Sequence, residues 1–324
     1  MSNLRRKLRK SVEEIFDAQS IDVALATEIL QARILHALFA SLTRDLVIVK
    51  GGIAMQMLTG SNRATNDIDL AAEPNVVTNT LLNHMRQSIK QALKCGLLEK
   101  ATFREQDTTG GGLSPKFHIN GVLAGTQSNV HIKIEISKRD LLPEEGISRF
   151  EYTPPASSGL PPYLVRTYSP MAVAASKTAA MLDTKRYSPR DMYDLFVLME
   201  MKVEAPVAML AGLGSDEISR MCNYLWTKVG AFTYKEFVEK VAPHLPAEVV
   251  EGIDAKGWIH IQVQVGETLE KWLDQAGAIA KERIPRAEMR HHYDELKQRE
   301  SEPENESNID PVETKQPRRS VFGR

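Results

Sequence analysis

Asp67 and Asp69 are spaced to act together. They stand in the run Asp67-Ile68-Asp69-Leu70, which reads as a short strand. In a strand, residues two apart share a face, so both carboxylates project together while Ile68 and Leu70 turn to the core. Fourteen residues separate this pair from Gly51-Gly52. Those glycines follow the β-branched run Val47-Ile48-Val49, a buried-strand pattern, and precede helical spacing from Ile53 to Leu58. A strand that turns through glycines into a helix N-terminus offers backbone N–H groups to an anion and lets a phosphate come close. The intervening loop carries Arg63 and Thr65. Paired carboxylates beside such a turn are the parts needed to hold Mg²⁺ against a nucleoside triphosphate.

A third acid stands further along. His131-Ile132-Lys133-Ile134-Glu135-Ile136-Ser137 alternates strictly. Ile132, Ile134 and Ile136 therefore face a core, and His131, Lys133 and Glu135 share the opposite face. The pattern alone leaves Glu135 open between a solvated strand face and a third metal ligand brought from a neighbouring strand. His131 reads as a strand residue and not a ligand, because magnesium prefers oxygen.

The combination Lys50-Gly51-Gly52, fourteen residues, then Asp67-Ile68-Asp69 resembles the signature of the DNA polymerase-β-type nucleotidyltransferases. Within them it is most similar to the AbiEii/AbiGii-toxin-like group, where a lysine also precedes the glycines. The spacing is longer than in the superfamily's tightest form. Gly52 stands where many members have serine, which removes a hydroxyl from the triphosphate site. Ile-Lys-Ile-Glu-Ile matches the strand on which this group places its third acid, so the resemblance implies Asp67, Asp69 and Glu135 as the metal-binding and catalytic trio. It implies Lys50, Gly51, Gly52, Arg63 and Thr65 at the nucleotide.

Later, Ser169-Pro170 opens a helix, with Ser169 as N-cap and Pro170 in the first helical position. Lys177 is its only charge before Asp183. Among alanines and methionines it reads as either a snorkelling surface group or a phosphate ligand. The segment Lys185 to Leu195, ending Arg190-Asp191-Met192-Tyr193-Asp194-Leu195, is similar to the AbiEii-like pattern of a helical lysine, a basic loop and Arg-Asp-x-Tyr-Asp-Leu. The resemblance implies that Lys177 contacts the nucleotide phosphates and that Asp191 and Asp194 complete the site. Asp191 also suits the first turn of a helix, where a carboxylate meets the helix dipole. Asp194 can equally pair with Arg190 or Arg186.

These residues need a sheet and helices to position them. Residues 11–44 and 79–98 read as helices that pack on the sheet, and residues 101–137 read as strands with a loose turn at Gly110-Gly111-Gly112. A strand at 149–153 stands in an irregular connection, a strand at 163–167 returns to the sheet, and residues 204–244 and about 263–280 read as helical. The expected fold is α/β (α+β), a mixed nucleotidyltransferase sheet wrapped by helices. The expected divisions are an N-terminal helical segment (1–45), the nucleotidyltransferase core (46–200), a helical C-terminal region (201–299) and a disordered tail (300–324). At 324 residues, with 42% apolar and 26% charged residues, the chain is long enough for one large or two ordinary domains.

A net charge of −1 gives no global nucleic-acid signature, though a local basic groove stays open. The five basic residues between Arg5 and Lys10 suit either a solvated helix face or RNA phosphates. Cys95 and Cys222 have no metal-like spacing and read as thiols of a reducing compartment. No apolar run approaches the roughly 20 residues of a membrane span. The expected location is the cytoplasm.

As function, the resemblance implies Mg²⁺-dependent transfer of a nucleoside monophosphate from an NTP to RNA, such as tRNA, or to a protein. It implies the toxin of a toxin–antitoxin or phage-defence pair, with an antitoxin protein as partner. The alternatives are a small-molecule, antibiotic-type nucleotidyltransferase and a non-catalytic nucleotide- or RNA-binding module.

Overall fold

The computed structural model describes residues 22–60, 65–72, 76–107, 114–138 and 146–301, the last twenty as backbone only. Arg63, the basic cluster from Arg5 to Lys10, the triple glycine and the segment after Ser301 lie outside the described residues. The chain forms two units, Met1–Ala280 and Lys281–Arg324. The second is, over its described residues, helix only.

The first unit is built on a seven-stranded mixed sheet. Its strands are β1 (Val47–Lys50), β2 (Asp67–Ala72), β3 (Leu98–Asp107), β4 (Pro115–Leu123), β5 (Asn129–Ser137), β6 (Ile147–Tyr152) and β7 (Tyr163–Tyr168). Their order is β3-β4-β5-β2-β1-β7-β6. The β2–β5 and β1–β7 pairs are parallel and the rest antiparallel. The nearly continuous apolar run of β1 is explained by its central place, since Val47, Ile48 and Val49 are wholly buried.

Helix α1 (Val23–Phe39) packs on β5 and against α3 (Thr78–Ala92). They cover the face carrying Ile68, Ile132, Ile134 and Ile136, all fully buried as the alternation requires. Between β1 and β2 lies α2 (Gly51–Thr59), closed by Gly60 in the left-handed conformation. It packs on β2 and also against α4 (Pro170–Leu182) and α5 (Pro189–Glu200). Ser169 caps α4 as expected, its hydroxyl accepting from the Ala172 N–H at 3.2 Å.

The remaining helices are α6 (Val207–Ala211), α7 (Ser215–Ala231), α8 (Tyr234–Lys240), α9 (Ala247–Glu251) and α10 (Ala255–Ser301), of which residues 255–280 belong to the first unit. Their centre is aromatic: Phe237 lies 4.7 Å from Trp258, ring to ring, and the Trp258 indole donates to the Phe232 carbonyl at 2.6 Å. That bond satisfies the one polar atom of a fully buried tryptophan.

Candidate active site

Strand register brings the acids together. Asp69 stands opposite Glu135 in the parallel β2–β5 pair, and Asp67 stands opposite Lys133. Lys50 stands opposite Asp69 from β1. All of these are half-buried, on the face that α1 does not cover, so Glu135 shares the face of the aspartates. Lys133 lies among them, its Nζ 3.5 Å from both Asp67 and Glu135. Lys116 of β4, opposite Glu135 in the register, pairs with it at 3.3 Å.

The acids feel one another. Burial pushes the Asp69 carboxyl up, Asp67 and then Glu135 add to that, and Lys133 and Lys50 oppose it. Burial disfavours the Lys133 charge, but Asp67, Glu135 and Asp69 outweigh it and hold that ammonium above its ordinary range. Among the described residues, no three carboxylates, imidazoles or thiols already surround one point as an ion would need. The donor chemistry nonetheless suits a hard cation. At Asp69, burial and the neighbouring acids outweigh Lys133 and Lys50, which favours a bound cation there.

The Gly-Gly turn is tied to the same acids. Gly51 has φ +66°, and a Cβ built there would collide with the Asp69 carboxylate. Glycine is thus required both by the backbone conformation and by the closeness of Asp69. Gly51→Ala should destabilise the protein by roughly 1–3 kcal/mol and displace Asp69. A thermal midpoint and NTP affinity both equal to wild type would refute this. Gly52 is buried in the first turn of α2. Thr65 is half-buried, its carbonyl accepting from the Gln31 amide at 2.8 Å, which ties the loop before β2 to α1.

Lys177 forms a second cluster. Its side chain is only 12% exposed, which removes the snorkelling alternative. Its Nζ lies 2.6 Å from Asp191 Oδ1 and 2.7 Å from Asp194 Oδ2. Asp194 therefore pairs with Lys177. Burial opposes both charges, yet Asp194 and Asp191 hold the Lys177 ammonium up, and Lys177 holds the Asp191 carboxyl down. Among the described residues, Asp191 Oδ2 is buried without a hydrogen-bond partner. Of the three N–H donors of an ammonium, the two aspartates use two, which leaves one for a further oxygen.

The basic loop before Asp191 is held from behind by the C-terminal helices. The Tyr187 hydroxyl donates to the Ala231 carbonyl at 3.0 Å, and Lys228 donates to the Arg186 carbonyl at 2.6 Å. Arg220 donates to the Leu182 carbonyl at 3.0 Å, at the end of α4. Lys116, Tyr187 and Lys228 were not among the residues singled out from sequence. The alternation of β4 could have found Lys116, but the others depend on packing between distant helices.

A mixed sheet with a Gly-Gly turn into a helix and acids on the adjoining strands is the framework of a nucleotidyltransferase. Residues 33–248 match the family described as "Nucleotidyl transferase AbiEii toxin, Type IV TA system", and the chain belongs to that family. It is a nucleotidyltransferase of a toxin–antitoxin family. Among solved structures it is similar to JHP933 from Helicobacter pylori (17% identity, 86% of this chain and 100% of that one, TM-score 0.46). It is also similar to MenT4, the nucleotidyltransferase toxin Rv2826c from Mycobacterium tuberculosis H37Rv (15% identity, 83% and 89%, TM-score 0.44). Membership rests on the family match and not on these likenesses. No curated protein matches significantly. No helix among the described residues is long and apolar enough to cross a membrane.

Proposed function

We propose that this toxin moves a nucleoside monophosphate from an NTP to an acceptor hydroxyl on RNA, such as tRNA, or on a protein. The acceptor oxygen bonds to the α-phosphorus, the bond to the β-phosphate breaks, and pyrophosphate leaves. The observation that carries the reading is the shared face of Asp67, Asp69 and Glu135 beside the Gly51 turn.

Asp67, Asp69 and Glu135 would hold Mg²⁺, which when bound neutralises charge on the triphosphate. A carboxylate of this trio accepts the proton of the attacking hydroxyl. Gly51 and Gly52, at the start of α2, present N–H groups to the phosphates, with Lys50, Thr65 and Arg63 assisting. Lys177, steadied by Asp191 and Asp194, gives its third N–H to a phosphate oxygen. The chain's contribution is positioning and charge neutralisation. Its place of action is the cytoplasm, and its restraint there is an antitoxin protein.

The test is incubation with each labelled NTP and total cell RNA or protein. Labelled product, with pyrophosphate released, is expected for one NTP, and its absence with all four would refute transfer. Lys133 gives a separate check on the metal. Its pairing with Asp67 and Glu135 is partly exposed and worth about 0.5–1 kcal/mol. Lys133→Met should then tighten Mg²⁺ binding roughly two- to fivefold by calorimetry. Unchanged or weaker binding would show that Lys133 does not compete for those acids.

A further inference from the structure

The acids divide the sheet into two sides of different character. On one side β1 leads into the Gly-Gly turn, which suits a triphosphate. On the other, β5, β4 and β3 carry a polar face in register. Lys133, His118 and Arg104 form one row, and Glu135, Lys116 and Gln106 a second. His131, Asn120 and Thr102 form a third. Thr102, Arg104, Gln106, Asn120 and His131 are exposed, and Lys116, His118 and Lys133 are half-buried.

Among the described residues this face holds Arg104, Lys116 and Lys133 in its rows, and Lys100, in the irregularity of β3 between Glu99 and Thr102, lines the groove beside them. Its carboxylates stand at the ends: Glu135 beside the aspartates, and Glu99 at the far turn, where it accepts from the Gly125 N–H at 3.3 Å. The His118 and His131 rings stack with centroids 5.7 Å apart. His131 is fixed by Asn120 at 2.7 Å, while the buried Nε2 of His118 has no hydrogen-bond partner among the described residues. Beside them Lys100, Thr102, Asn120 and His131 line a groove of about 230 Å³.

We infer that this three-stranded face seats a single-stranded nucleic-acid acceptor, with phosphates on Lys100, Arg104, Lys116 and Lys133. A base stacks at the His118–His131 pair, and the strand's terminal hydroxyl lies toward Asp69 and Glu135. The direction of the strand rests on the nucleotidyltransferase reading; the surface does not. Cations on strands about 4.8 Å apart meet a repeating polyanion, which a single triphosphate at the Gly-Gly turn does not need. Aromatic faces on an open sheet suit unpaired bases. Burial, and then the charge of His131, Arg104, Lys133 and Lys116, push the His118 imidazole below its ordinary range, which records the positive field there. A cation engaging the acids would also release Lys116 and Lys133 from Glu135 toward phosphate.

The test compares the full chain with Lys100→Gln/Arg104→Gln, two residues outside the catalytic set. The probe is a labelled single-stranded oligoribonucleotide of mixed sequence, titrated at several salt concentrations. The double variant should bind about tenfold more weakly, and its salt slope should fall by roughly 1.4, the share of two phosphate contacts on a single strand. NTP affinity should not change. Equal RNA affinity and slope in both proteins would overturn the inference. So would label passing from NTP only to protein, equally in both. If neither protein binds any NTP, the transfer reading fails, while the RNA titration still decides the surface.

Discussion

Asp69→Asn should abolish the growth inhibition that the wild type causes when expressed alone, and should lower transfer by roughly a thousandfold or more. The variant keeps the shape of the side chain and its place against Gly51, but loses the charge that would hold Mg²⁺. Its fold should not suffer. Burial and two neighbouring acids already disfavour the Asp69 charge, so neutralising it relieves repulsion. The thermal midpoint without Mg²⁺ should stay level or rise slightly, and the Mg²⁺-dependent increase should disappear. A protein that acts by sequestering RNA would inhibit growth equally with either residue. Equal inhibition by wild type and variant would therefore reject catalysis as the toxic activity.

Lys177→Met should be the most destabilising of the substitutions considered. Asp191 and Asp194 are 5% and 1% exposed, and Lys177 lies against both. Removing the partner of a buried charge costs about 3–5 kcal/mol. The pH dependence should also change. In the wild type the Asp191 carboxyl is held down and the Lys177 ammonium up. The contribution of Asp191 is present above the ordinary aspartate range and is lost as pH falls through its depressed value. That of Lys177 is present below the ordinary lysine range and is lost as pH rises through its raised value. The cluster thus stabilises the fold between those limits. In Lys177→Met the uncompensated acids take up protons more readily than in the unfolded chain, so stability should rise as pH falls. Urea midpoints from pH 4 to pH 8 would stay nearly level for this cluster in the wild type and rise toward pH 4 in the variant. Parallel slopes would mean that the ion cluster contributes little.

The sheet was legible because its strands follow a period of two, or are apolar throughout. Ile132, Ile134 and Ile136 alternate with Lys133 and Glu135, and that pattern placed Glu135 on the polar face before any pairing was known. Pairing itself was not legible. Nothing local says that β2 lies parallel to β5, which is what sets Asp69 opposite Glu135. Lys133 could be assigned to a face but not to a partner, because the reach of its side chain depends on that register. Spacing alone left Lys177 open between a snorkelling group and a phosphate ligand for a similar reason. Alanine-rich spacing shows that a helix packs closely, but not that two aspartates from the next helix cover its single charge.

The parallel β2–β5 pair also sets the order in which the proposed site is completed during synthesis. On the ribosome the Gly-Gly turn and both aspartates emerge early, yet Glu135 arrives only after β3 and β4 have been made. Lys177, Asp191 and Asp194 come later still. At typical synthesis rates, roughly 10 s separate Asp69 from Asp194. Throughout that interval the nascent chain lacks part of the constellation, so on the proposed chemistry a product cut short before β5 should transfer no nucleotide. On that reading translation itself provides a delay in which an antitoxin of the kind the family implies would meet the chain before its site is complete.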